Sequence, residues 1–232
     1  MREIVLDTET TGLDPNQGHR LVELGCVELL NRIPTGQTFH VYVNPERDMP
    51  MEAFNVHGLS AEFLSGHRKF AEIVDDFLAF IGDDTPLVIH NAEFDHKFLC
   101  AELKLVKRTL IARERLVDTL ALARRKHSAG PYNLDALCGR YGIDNSRRTK
   151  HGALLDAEIL AEVYLELLGG RQASLGLAET VTPSAFAVSG SATVRTRPAP
   201  LKPRLTEAEL AAHREFVGTL GEQALWLNYR TG

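Results

Sequence analysis

The chain has 232 residues, of which 44% are hydrophobic and 25% charged, the balance of a globular protein able to bury a sizeable core. A formal net charge of −5 excludes a protein that grips nucleic acid by bulk positive charge, but not a nucleic-acid enzyme whose site is acidic because it holds cations. No apolar run reaches the roughly 18 residues of a membrane span, and Ile4, Val5 and Leu6 are too short a core for a signal peptide, so a cytoplasmic protein is expected. Cys26, Cys100 and Cys138 are odd in number, far apart and set among apolar neighbours, which speaks for small buried side chains and against a disulfide framework or a structural zinc site.

Residues 1–168 read as one α/β unit. Glu3 to Leu6 suits a short buried strand. Leu21 to Leu30 and Thr38 to Val43 are two further β-rich runs, parted by a turn over Asn31 to Gly36, and three strands with short connections predict an antiparallel meander. The period then changes. Phe70, Ile73, Val74, Phe77, Leu78 and Ile81 recur at helical spacing, and Leu87 to Ile89 makes a strand after Pro86. Helical patterns follow over Phe94 to Leu105, Asp118 to Lys126, Asn133 to Tyr141 and Gly152 to Leu168. Strands first, then strand alternating with helix, predict a mixed sheet covered by helices. Beyond Gly169 and Gly170 the composition shifts to Ser, Thr, Ala, Pro and Gly, and 169–205 is expected to be a flexible tether. Over 206–232, Thr206 and Glu209 fit a capping box, and Leu210, Phe216, Val217 and Leu220 share one helical face, ending near Gly221.

The chemistry lies in three acidic segments. Asp7 and Glu9 stand two apart at the end of the first strand, so their carboxylates point to one side. Two anions held side by side are costly without a cation, and hard divalent ions take such oxygen ligands. Asp95, in His90-Asn91-Ala92-Glu93-Phe94-Asp95-His96, falls near the start of a helix. Asp156 interrupts the apolar stretch Leu154, Leu155, Ile159 and Leu160, five residues after His151, and a carboxylate buried there needs a partner. Singly, each segment also fits a polar turn or a helix-dipole acid.

Together, and in this order, they resemble the three exonuclease motifs of the DnaQ-like, or DEDDh, superfamily. The resemblance implies an RNase H-like fold with a mixed five-stranded sheet flanked by helices, followed here by a flexible tail with a short C-terminal helix. It implies metal-dependent 3′→5′ exonuclease activity that releases nucleoside 5′-monophosphates. Asp7, Glu9 and Asp156 would hold two Mg²⁺ or Mn²⁺ ions with Asp7 bridging them, Asp95 would act more indirectly through water, and His151 would be the general base. His57 and Thr10, with Thr11, would lie beside the terminal nucleotide, with a turn histidine the alternative for His57. His90 and His96 are expected to be structural, and His19, His40, His67, His127 and His213 to lie on the surface.

The tail bears on the biology. Gln172-Ala173-Ser174-Leu175-Gly176-Leu177 is similar to the peptides by which bacterial replication proteins dock on the sliding clamp, with Gln172 and Ser174 as polar contacts and Leu175 and Leu177 as anchors. Residues 206–226 resemble the C-terminal end of the epsilon subunits of bacterial DNA polymerase III. That likeness implies anchoring to the polymerase catalytic (alpha) subunit through Leu210, Phe216 and Trp226. The expected function is therefore proofreading of DNA 3′ ends, single-stranded or frayed, in the replisome. A free-standing exoribonuclease and a mainly tethering subunit stay open as alternatives.

Overall fold

The computed structural model describes residues 1–148, 150–170 and 206–220. They fall in two compact units, Met1–Leu175 and Gly176–Gly232. The first contains a five-stranded sheet. β1 (Arg2–Thr10), β2 (Leu21–Leu30) and β3 (Ile33–Tyr42) are antiparallel; α1 (Met51–His57), α2 (Ala61–Ser65) and α3 (Phe70–Ile81) follow. β4 (Leu87–Ile89) then pairs parallel to β1, and after α4 (Ala92–Leu105), β5 (Leu116–Asp118) pairs parallel to β4. α5 (Thr119–Lys126), α6 (Leu134–Tyr141) and α7 (Ala153–Leu167) complete the unit. The order β3-β2-β1-β4-β5 puts β1 at the centre, where the sheet changes from antiparallel to parallel.

Three local differences from the sequence reading have physical causes. β1 runs on past Leu6 to Thr10, because Asp7, Thr8 and Glu9 keep pairing with Gly25, Leu24 and Glu23; the acids sit inside the strand. β3 begins at Ile33, since Asn31 (φ 52°) and Arg32 (φ 67°) alone make a two-residue hairpin turn with both centres left-handed. β3 is solvent-facing along most of its length, so no apolar alternation marked its start. The short helices α1 and α2 and the three-residue β5 carry too few periodic positions to stand out; Ser60 caps α2 and Asp118 caps α5 through side-chain oxygens.

The two sheet faces bury separate cores. Ile4 and Leu6 of β1 pack with Phe70, Phe77, Leu99 and Leu103 of α3 and α4. Val5, on the other face, packs with Val88, Leu137, Ala157 and Leu160 against α6 and α7. Arg20 grips buried Glu102 of α4 with a two-pronged ion pair at 2.7 and 2.8 Å, fixing α4 against the start of β2. Gly25 does the same for α7 by lacking a side chain. A Cβ there would lie 2.2 Å from the Ala153 carbonyl carbon and the Leu154 nitrogen, so the first turn of α7 rests directly on β2 beside Asp7. Cys26 and Cys138 are buried, Cys100 is half-buried, and all three are free thiols.

In the second unit α8 (Glu207–Thr219) opens with the expected capping box, Thr206 and Glu209 exchanging bonds at 3.3 and 2.8 Å. Leu210 is half-buried, and Phe216 and Leu220 are exposed. Gln172, Ser174, Leu175, Leu177, Gly221 and Trp226 lie outside the described residues. No helix among the described residues is long and apolar enough to cross a membrane.

Candidate active site

Alternation along β1 turns Asp7 and Glu9 to the α7 face and Thr8 to the α4 face. Asp156 lies in the first turn of α7, its N–H donating to Gly152, and is 2% exposed. His151 precedes that helix, its backbone N–H donating to the Val56 carbonyl at 3.3 Å and its Nδ1 lying 3.2 Å from Asp156 Oδ2. Glu9, His151 and Asp156 each offer one ligand atom within 4.8 Å of the others, the group among the described residues that could hold a metal ion. Asp7 stands outside that set, although the charges of Glu9 and Asp156 bear on its carboxyl. Asp95 comes from the other face of the sheet. It sits in the first turn of α4, 3% exposed, and accepts the Thr8 hydroxyl at 2.7 Å.

The electrostatics of this corner are lopsided. Loss of solvent pushes Asp7 well above the ordinary carboxylate range, and the charges of Asp95, Glu9 and Asp156 push it further. Glu9 is pushed up to about 8, first by burial and then by Glu23, Asp156 and Asp95. Asp95 is pushed up to about 7 by burial, against the Thr8 hydrogen bond. Burial also pushes Asp156 upward, but hydrogen bonds from Arg148 and His151 outweigh it and hold that carboxyl below its usual range. Carboxylates raised in this way lack positive charge, and clustered hard oxygen donors with one imidazole suit a divalent cation.

Arg148 was not singled out in the sequence. Its guanidinium forks onto Asp156 at 2.5 and 2.7 Å, reaches His151 Nδ1 at 2.7 Å and meets Asp135 at 2.8 Å. The signal was present: the basic run Arg147, Arg148 and Lys150 lies just ahead of a buried acid. Lys150 also stacks over Phe54 of α1 at 5.1 Å, so α1 and the His151 segment meet twice.

A cleft of about 480 Å³, the size of a small-ligand site, opens beside Glu9. Thr10, Val56, His57 and Phe94 line it, together with His19, which lines this cleft rather than the open surface expected for it. The Thr10 hydroxyl is committed to the Gly12 carbonyl at 2.7 Å. Thr11 is fully buried, its hydroxyl accepting the Arg20 N–H and meeting His19 Nδ1 at 3.2 Å. His57 ends α1 and is 6% exposed; its Nδ1 accepts the Leu59 N–H at 3.0 Å, which leaves the proton on Nε2. That Nε2 is buried without a hydrogen-bond partner. Burial lowers its pKa, against a weaker upward pull from the Thr10 backbone. Of the remaining histidines, His90 bonds the Thr119 hydroxyl and His96 the Ile111 carbonyl, while His40 is drawn to buried Glu23 at 2.7 Å.

Comparison with known proteins gives the family and the fold. The RNase T family model, described as exonuclease, matches residues 4–164. The DNA polymerase III subunit epsilon of Rickettsia felis is 48% identical over 223 residues, 95% of this chain and 97% of that protein. Its namesake in Escherichia coli K12 is 44% identical over 246 aligned positions, 97% of both chains. Among solved structures, exonuclease X with 5′ overhanging duplex DNA superposes with a TM-score of 0.56 at 21% identity, covering 72% of this chain and 91% of that one. The nuclease domain of 3′hExo, a DEDDh family member bound to rAMP, gives 0.62 at 18% identity over 73% and 92%. These two likenesses are of fold, the RNase H-like exonuclease sheet with its flanking helices. The chain belongs to the exonuclease family and, within it, to the epsilon subunits of DNA polymerase III.

Proposed function

We propose that the chain is the proofreading subunit of a bacterial replicative DNA polymerase, a cytoplasmic 3′→5′ exodeoxyribonuclease that uses Mg²⁺ or Mn²⁺. The observation that carries this reading is the meeting of a nucleotide-sized cleft with the Glu9, His151 and Asp156 donors, Glu9 belonging to both. Asp7, Glu9 and Asp156 are the residues to hold two divalent ions, with Asp95 acting from behind Thr8. Bound there, such ions supply charge stabilisation to the attacking and leaving oxygens of an in-line displacement.

The chain's own groups do the rest. Val56 and Phe94 offer the terminal base an apolar surface with no donors to read its identity, which suits a sequence-tolerant enzyme. The unpartnered His57 Nε2–H is a donor for an oxygen of the terminal sugar. His151, whose side chain is 48% exposed, takes the proton from the attacking water and can pass it to solvent. The water oxygen bonds to phosphorus, the bond to the preceding 3′ oxygen breaks, and that oxygen takes a proton from solvent to leave as a hydroxyl. The products are a nucleoside 5′-monophosphate and a strand one residue shorter. Frayed mispairs cost less to unpair, which gives selectivity without base reading.

In this reading residues 1–168 are the nuclease, 172–177 dock on the sliding clamp through Gln172, Ser174, Leu175 and Leu177, and 206–232 bind the polymerase alpha subunit through Leu210, Phe216 and Trp226. Two docking points would keep the nuclease at high effective concentration near the growing end. The exposed side chain of Phe216 supports the last assignment. The test is degradation of 3′-mispaired and paired primer–templates and of matched RNA oligomers with Mg²⁺. Metal-dependent trimming of DNA, faster at the mispair, is expected. Preference for RNA would contradict it in favour of an exoribonuclease, and hydrolysis of neither would leave a tethering subunit.

A further inference from the structure

We propose that Arg148 is a positioning residue that serves as the site's internal counter-cation, holding Asp156 and His151 in place until a divalent ion takes Asp156 from it. The proposal rests on the metal-dependent reading above.

Its basis is the sharing of atoms. Asp156 Oδ2 and His151 Nδ1, on two of the three residues that could hold an ion, are both already held by the same Arg148 nitrogen, at 2.7 Å. The second Asp156 oxygen is held by Arg148 Nε at 2.5 Å. The fork is no solvated surface contact: the Arg148 side chain is 7% exposed and Asp156 3%. A guanidinium and a divalent ion on one carboxylate repel each other, so occupancy by one disfavours the other.

The segment around Arg148 is built to deliver it. Arg148 donates its backbone N–H to Asn145 at 2.9 Å, and Asn145 in turn bonds Asp135 of α6 at 2.8 Å. Asp135 is 57% exposed and holds the third guanidinium nitrogen, a contact on the solvent side that survives if the fork swings off Asp156. With no ion bound, the Arg148 guanidinium is the positive charge set directly against Asp156. It thus keeps the acids from driving the first turn of α7 away from β1. With an ion bound, that service is redundant and the fork only competes.

When the competent, unforked state is a minor population, apparent affinity falls in proportion to that population. Removing the fork should therefore tighten metal binding, whereas a residue that merely supports the site would weaken it when removed. The experiment is calorimetric titration of the full chain with Mn²⁺ at pH 8, for wild type, Arg148→Gln and Arg148→Lys, alongside thermal melting in EDTA. Arg148→Gln should bind Mn²⁺ about tenfold more tightly and melt at a lower temperature without metal. Arg148→Lys keeps the charge but loses the fork, so it should fold well and tighten binding by a smaller factor. Unchanged or weaker Mn²⁺ binding in Arg148→Lys with wild-type circular dichroism would overturn the proposal, even if Arg148→Gln failed to fold. It would leave the nuclease reading standing. Absence of Mn²⁺ binding by the wild type would overturn both.

Discussion

β1 and α7 lie against each other with a buried acid at either end, and the two ends differ instructively. At the start of β1, Glu3 is 4% exposed and accepts the Tyr164 hydroxyl at 2.7 Å, a neutral donor from the last turns of α7. At the other end Asp7 and Glu9 face Asp156, with Asp95 close behind. Those acids repel one another, and Asp7, Glu9 and Asp156 share Arg148 as their positive charge. Burial of a carboxylate is common to both ends and so marks neither as functional. What separates them is accumulation of like charge without enough donors, a state tolerable only if a cation completes it.

The comparison breaks most sharply at the acidic end. Asp7→Ala should lower nuclease turnover about 10³-fold or more, since ion-mediated stabilisation of several kcal/mol is lost, while far-UV circular dichroism stays unchanged. Retained turnover would make the acidic end as structural as the other. Gly25→Ala attacks placement rather than chemistry. A methyl group 2.2 Å from the Ala153 and Leu154 backbone must push the first turn of α7 off β2. A displacement of about an ångström at Asp156 should cost about 10²-fold in rate, with about 1–3 kcal/mol of stability. A rate equal to wild type would show that α7 needs no such contact.

Tyr164→Phe sharpens the contrast from the structural end. It leaves both Glu3 oxygens unpartnered, Oε2 being so already. The expected outcome is about 1–3 kcal/mol lost in denaturant unfolding with turnover unchanged. The smallest effect concerns pH. Glu9 near 8 and Asp95 near 7 both lie above their unfolded values. In the metal-free fold these two groups therefore hold extra protons from their unfolded values of about 4 up to about 8 for Glu9 and about 7 for Asp95, and their contribution to stability falls across that window as pH rises, levelling off above it. A bound ion removes that loss. The rise in melting temperature on exchanging EDTA for Mn²⁺ should be larger by a few degrees at about pH 8.5 than at about pH 6, and the opposite trend would contradict the charge account.

Much of this was legible because it is local. Asp7 and Glu9 share a face by strand alternation, Asp95 and Asp156 sit in first helical turns, and Thr206 with Glu209 caps α8. What escaped depends on distant partners. Gly25 matters through α7, more than a hundred residues along the chain. Arg148 matters through a carboxylate that its own segment folds back to meet. His57 gained meaning from the buried end of α1, a helix too short to announce itself by period. His19 looked like a surface residue because nothing in its neighbours foretells the cleft it lines.

The most direct test of the acidic end as a cation-dependent hydrolytic centre is mononucleotide release from a 3′-mispaired primer by wild type and Asp156→Asn, each with Mn²⁺ and with EDTA. Release by the wild type with Mn²⁺ alone, and by the variant in neither condition while its circular dichroism matches wild type, is the predicted result. Release that persists in EDTA, or in Asp156→Asn at the wild-type rate, would contradict it.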